Sequence, residues 1–261
     1  MKIDFGPGGT EGLGYEEGLK AIAAKGLSAL EIEFTHGVSM KNETAKIVAG
    51  LARSYGIRLS VHAPYYINLA AKEREKQEAS VGRIMDSCER GHHLGATHIV
   101  FHPGFYQGRD PEEVYTTISK HVSTMVDKVK EEGWKVQLAP EVTGKPSQFG
   151  SVTELKRLSE ETGCAITVDF SHLLARYGGK VDFNDVVSDL NGFRHIHSHF
   201  SGIEWGEKGE RRHVPTTIEA ILPLADALKS RKFSMTIINE SPQPIDDAVL
   251  MKKVFSDEGL L

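Results

Sequence analysis

Short runs rich in β-branched residues recur eight times along this chain, each followed by a longer amphipathic stretch. The runs are KIDF (2–5), ALEIEF (29–34), RLSVHA (58–63), HIVFH (98–102), KVQLAPE (135–141), AITVDF (165–170), RHIHSHF (194–200) and SMTIINE (234–240). Helical segments fill the intervals: YEEGLKAIAAK after the first run, NETAKIVAGLARSYG after the second, then stretches near 72–95 and 111–133. SVTELKRLSEETG opens with Ser151 and Glu154 in a capping-box pattern and ends at Gly163. No linker or low-complexity tract interrupts the series, so residues 1–261 are expected to form one domain, a (β/α)8 TIM barrel. A doubly wound open sheet is the alternative. GPGGTEGLG after the first run lacks the GxGxxG spacing of that fold and reads as a turn.

The formal net charge of −5 advertises no global basic field, which argues against non-specific coating of nucleic acid. A locally basic face or bound cations would still attract phosphate. Cys88 and Cys164 are far apart and form neither a disulfide framework nor a CxxC site, which points to a reducing compartment. MKIDFGPGGT lacks the apolar run of a signal peptide, and no stretch approaches a membrane span. A cytoplasmic monomer with no membrane partner is expected.

In a barrel of this kind the chemistry sits at the carboxyl ends of the strands. Strand three ends in His62, strand four in His102, strand five in Glu141, and strand six in Asp169 with His172 just beyond. Strand seven carries His197 and strand eight ends in Glu240. Any one of these has a bland reading as a hydrogen-bonded turn residue. Together they converge on one mouth, where so many carboxylates repel one another unless cations are present. Imidazole mixed with carboxylate suits zinc, manganese or iron, whereas calcium and magnesium sites use oxygen alone. On strand seven, His195, His197 and His199 alternate and so share one face. His92 and His93 lie in a helix and are expected to be solvated; His98 and His121 are expected at the surface or in packing.

The motifs VHAPYYINLA (61–70), VFHPG (100–104), PEVTG (140–144), VDFSHLL (168–174), HIHSHFSGIEW (195–205) and INES (238–241) span the chain. In this order they resemble endonuclease IV, the metal-dependent apurinic/apyrimidinic endonuclease family of base-excision repair, whose barrel is xylose-isomerase-like. VHAPYYINLA is the most specific of them. The resemblance implies two to three zinc ions, with manganese as a substitute. His62, His102 and Glu141 would hold the first. Glu141 would bridge to the second, completed by Asp169, His197 and Glu240. His172 and His213 would hold the third with one more carboxylate. Where the family has Asp-x-His, this chain has GERRHV, so Arg211 takes the aspartate's place and Glu210 is the substitute ligand.

The resemblance further implies hydrolysis of the phosphodiester 5′ to an abasic site in double-stranded DNA, with Glu141 and Glu240 as the catalytic carboxylates. Tyr65 and Tyr66 would enter the gap left by the missing base, Asn68 would brace their loop, and His199 would touch substrate. The loop after strand two, THGVSMKN, carries only Lys41 where the family has a basic, glutamine-containing loop. The rival enzyme reading is a one-metal sugar isomerase or epimerase, which does not need His62, His102 and His213 as ligands. A catalytically silent barrel that binds DNA or a partner protein is a third reading.

Overall fold

A computed structural model describes residues 2–261. The eight expected strands are Ile3–Pro7, Ala29–Glu33, Arg58–His62, His98–Phe101, Gln137–Pro140, Thr167–Asp169, His195–Phe200 and Ser234–Asn239. We call them strands one to eight. All pair in parallel, in two runs of four: one, eight, seven and six, then two, three, four and five. Single parallel bridges, Gly8 to Glu31 and Glu141 to Thr167, join the two runs and close a (β/α)8 barrel. Helices alternate with the strands, beginning with Tyr15–Ala24 and ending with Pro244–Asp257. Ser151 and Glu154 form both halves of the capping box on the helix Val152–Thr162, and Gly163 ends it in the left-handed conformation.

Strand alternation decides what lies inside the barrel. Leu30, Ile32, Leu59, Val61, Ile196 and Ile237 face the helices and are buried in the main hydrophobic core. The alternate residues, among them Glu31, Ser60, His98, Thr167, His197 and Thr236, are also buried and point toward the axis. Barrel interiors of this class are usually filled by branched aliphatic side chains. Here a polar column fills much of the interior, and it must be internally hydrogen-bonded to be tolerated.

Two antiparallel pairs stand outside the repeating unit: the hairpin Gly202–Gly206 with Gly209–Val214, and the short pairing of Gly104–Phe105 with Gln148–Phe149. The first carries GERRHV, and its charged, glycine-bounded sequence gives no strand signal of its own. Gly209 has φ +90 at its turn, and a Cβ there would lie 2.4 Å from the Gly144 carbonyl oxygen. That contact seats the hairpin on the loop after strand five. His92 and His93 are half-buried rather than solvated: their ring centroids lie 5.2 Å apart, and His92 Nδ1 accepts from the Lys135 amide.

Candidate metal centre

Glu141 is fully buried just beyond strand five, and four imidazoles surround it. Its Oε2 lies 3.2 Å from His62 Nε2 and 2.9 Å from His102 Nε2. Its Oε1 lies 3.1 Å from His172 Nδ1 and 3.3 Å from His199 Nδ1. His62 is oriented by its other nitrogen, which meets the Ala63 carbonyl at 2.8 Å. His62, His102 and Glu141 thus present three donor atoms within 4.8 Å of one another.

A second set shares Glu141. Donor atoms of Glu141, Asp169, His199 and Glu240 also converge within 4.8 Å. Asp169 caps the short helix Phe170–Arg176, its Oδ1 accepting from the His172 amide at 2.8 Å. His172 directs Nδ1 at the Val142 carbonyl, 2.9 Å away; Asp169 Oδ2 lies 3.2 Å from the same nitrogen as an ion pair but receives no hydrogen bond among the described residues.

A third set is built on the hairpin. His172 Nε2 lies 3.5 Å from Glu210 Oε2, and His213 Nε2 lies 3.9 Å from Glu210 Oε1. Ser201 Oγ meets His213 Nδ1 at 2.6 Å and fixes the ring. Gly144 makes the approach possible, because a Cβ there would sit 2.7 Å from the Glu210 Cβ and 3.0 Å from His172 Cδ2.

The electrostatics show what such a cluster demands. Burial opposes the charge on Glu141, yet His102 and His199 hold its carboxyl well below the usual range. Burial likewise opposes Glu240, but His199 brings it down to about 2. Burial works against a charged His62, but the hydrogen bond to Glu141 and the field of Glu33 raise it to about 10. His172 and His199 are raised well above the ordinary imidazole value against the same opposition, by Asp169 and Glu240 respectively. In the metal-free chain, protons on imidazole take the place of cations between carboxylates. Glu33 is not compensated in this way: burial pushes it up to about 8, and both its oxygens are buried without hydrogen bonds among the described residues. Nitrogen and carboxylate donors in converging sets, with orphaned carboxylate oxygens among them, fit divalent transition metals.

The structure brings His62, His102, Glu141, Asp169, His172, Glu240, Glu210 and His213 to one mouth. It does not bring His197 into the group with Glu141, Asp169 and Glu240; His199 stands there instead. Strand register is the reason. Asp169 pairs with His199, whereas His197 pairs with Thr167, a residue two positions deeper. His197 is fully buried against Glu31 at 2.7 Å and stacks on His98 at 5.1 Å. His98 accordingly belongs to the barrel interior, and His195 stacks on its ring at 5.6 Å.

Two further carboxylates that the strand ends do not announce, Glu31 and Glu33, converge with Glu240 within 4.8 Å. Their signal was present in ALEIE, where two glutamates alternate within an otherwise apolar strand. At the rim, Tyr65 is 54% exposed with its ring 5.4 Å from that of His62, and Tyr66 is 64% exposed. Asn68 Oδ1 accepts from the amides of Ala70 at 3.1 Å and Phe105 at 3.3 Å, bracing that loop.

The chain is 37% identical over 275 residues to "Uncharacterized protein MJ0133" of Methanocaldococcus jannaschii, with 98% of each covered. It is 27% identical over 138 residues to a "Probable endonuclease 4" of Mycoplasma genitalium, covering 51% of this chain and 45% of that protein. Among solved structures, endonuclease IV from Thermus thermophilus superposes with TM-score 0.70 at 21% identity, covering 99% of this chain and 98% of that one. A D-tagatose 3-epimerase-like protein superposes with TM-score 0.72 at 21% identity, covering 99% of this chain and 97% of that one. At those identities the two structures speak for the fold alone. Residues 19–254 match the family described as xylose isomerase-like TIM barrel, and the chain belongs to that family.

Proposed function

We propose that this chain is an endonuclease IV-like phosphodiesterase that cuts double-stranded DNA 5′ to an abasic site with two to three zinc ions, in base-excision repair. The observation that carries this reading is the sharing of Glu141 between two donor sets. His62 and His102 face one of its oxygens, while His199 faces the other beside Asp169 and Glu240. A one-metal isomerase needs the second set and leaves the first unexplained. The relatives named endonuclease 4 support the same reading.

When bound, a pair of ions would supply activation of water and neutralisation of charge on the entering and leaving oxygens. The residues of the chain do the rest. Glu141 fixes the separation of the two sets. Glu240, held beside His199 at 3.2 Å, is placed to orient an attacking water. His172, Glu210 and His213 would hold a third ion on the leaving-group side. Tyr65 and Tyr66 stand at the mouth, where an extrahelical abasic sugar would enter and a stacked duplex would not. An open groove of about 700 Å³ beside the hairpin is lined by Lys145, Lys208 and Arg211 together with Glu207 and Glu210, a flank of mixed charge beside the mouth. Manganese would serve the same nitrogen and oxygen donors.

Incubation of zinc-loaded protein with a duplex bearing one abasic site tests the proposal. A single cut 5′ to the site, leaving a 3′-hydroxyl and abolished by chelation, is the expected result; an intact duplex overturns it. One observation favours a second reading, a one-metal sugar epimerase or isomerase. Glu33, unpartnered among the described residues and pushed up to about 8 by burial, would exchange hydrogen bonds with a sugar hydroxyl as the neutral acid. Epimerisation of a ketose by protein that leaves abasic DNA intact would establish it.

A further inference from the structure

Deep to the donor sets, one carboxylate clasps two imidazoles. Glu31 is fully buried on strand two. Its Oε1 lies 2.8 Å from His199 Nε2, a charge contact without hydrogen-bond alignment among the described residues, and its Oε2 is hydrogen-bonded to His197 Nε2 at 2.7 Å. Ser60 Oγ donates to the same Oε2 at 2.6 Å. The opposite nitrogen of His199, Nδ1, faces Glu141 at 3.3 Å and Glu240 at 3.2 Å. One ring therefore connects Glu31 on one side to the shared donor set on the other.

We infer that Glu31 is a positioning residue for the second ion: it holds the proton of His199 on Nε2 and so keeps Nδ1 free to ligate. This rests on the metal-dependent reading above. An imidazole can ligate through one nitrogen only if its proton resides on the other. Two other histidines of the cluster settle this with neutral acceptors, His62 on the Ala63 carbonyl and His172 on the Val142 carbonyl. His199 uses an anion, which also makes the ring a stronger donor to a cation. The arrangement is braced from behind. Ser60 and His197 hold Oε2, so Oε1 cannot swing away from His199 without breaking two buried hydrogen bonds.

The geometry also says what removing the charge would do. In Glu31→Gln the single amide oxygen is drawn to the side where Ser60 and His197 both donate. The amide NH2 then faces His199 Nε2, turns it into an acceptor and drives the proton onto Nδ1. The carboxylate's role is thereby inverted with almost no change in shape.

The test is zinc binding by the full-length protein, measured by competition with a chelator and by ions bound per chain, for wild type, Glu31→Gln and Glu31→Asp. One ion should bind about 10–100-fold more weakly in Glu31→Gln while the others are unchanged, with partial recovery in Glu31→Asp. In zinc-loaded wild type, 15N-resolved NMR should show His199 carrying its proton on Nε2. All ions binding to Glu31→Gln within about twofold of wild type, or a His199 proton on Nδ1 in zinc-loaded wild type, would overturn the assignment. The NMR arm does not depend on how well the variants fold. Failure of wild type to bind zinc at all would instead overturn the metal-dependent reading on which this one stands.

Discussion

Glu210 reaches His172 across the gap between the hairpin and the barrel, its Oε2 3.5 Å from His172 Nε2. Arg211, which stands where the endonuclease family has aspartate, turns the other way and packs over Gly206, where a Cβ would meet its guanidinium at 2.6 Å. The neighbouring carboxylate thus occupies the place that the arginine vacates. Glu210→Ala and His213→Ala should each lower zinc by one ion per chain and leave the pair around Glu141 in place. Elemental analysis of desalted protein checks this, and an unchanged zinc content in both variants would remove the third site.

Glu141→Gln should have the largest effect of any single change. It keeps the volume and removes the charge that both donor sets share. Zinc content should fall by at least one ion, and cleavage of abasic duplex should drop by about 100-fold or more, while circular dichroism shows the barrel intact. Turnover near that of wild type would place the chemistry elsewhere.

The two histidines of strand seven should behave differently. His199→Ala should cost an ion. His197→Ala should first cost stability, on the order of 3 kcal/mol, because it leaves the Glu31 carboxylate buried with one partner fewer. Urea titration beside a zinc assay separates the two outcomes. The reverse pattern would restore His197 as the ligand.

Stability of the metal-free protein should fall as pH rises above about 6.5. His62 is raised to about 10, so the stability its proton provides is complete below the unfolded imidazole value and is lost on the way to pH 10. Glu33, raised from 4.5 to about 8, acts in the same sense between those two values, because ionising it in the folded state is costlier than in the unfolded chain. Glu240, lowered to about 2, has the opposite sign and is lost only in strong acid. Bound cations replace the imidazole protons, so zinc-loaded protein should lose much less on the alkaline side. Melting temperatures against pH, with and without chelator, measure the difference, and parallel curves would contradict it.

Binding of DNA should depend strongly on the metal, because a chain of net charge −5 offers few cations at a rim rich in carboxylates. Tyr65→Ala should reduce the preference for abasic over intact duplex, since that ring stands over the mouth, 5.4 Å from His62. The affinity ratio for the two duplexes, with and without chelator, reads both effects. Equal affinities for the two duplexes in metal-loaded wild type would favour the sugar-epimerase reading.

The barrel was legible because alternating runs of period two and period 3.6 are a local property of the chain. The rim was legible because strand ends in that fold face a common mouth. What stayed hidden was depth. Nothing in HIHSHF says which of its alternating histidines lies level with Asp169; that is set by hydrogen-bond register between strands six and seven. Glu31 and Glu33 stayed hidden for a related reason: an alternating glutamate looks solvent-facing until the fold puts that face inside a barrel. The position of Glu210 was open to sequence reasoning, but the hairpin that delivers it was not, since its turn depends on Gly209 seated against Gly144.

That hairpin gives the protein a removable part. Every donor of the first two sets is mounted on, or directly beside, the closed ring of strands, where a substitution propagates into the core. Two donors of the third set ride on an appendage whose exchange or lengthening leaves the ring untouched. A lineage could therefore gain or lose the donors Glu210 and His213 through a few changes in one peripheral turn while keeping the same folded body.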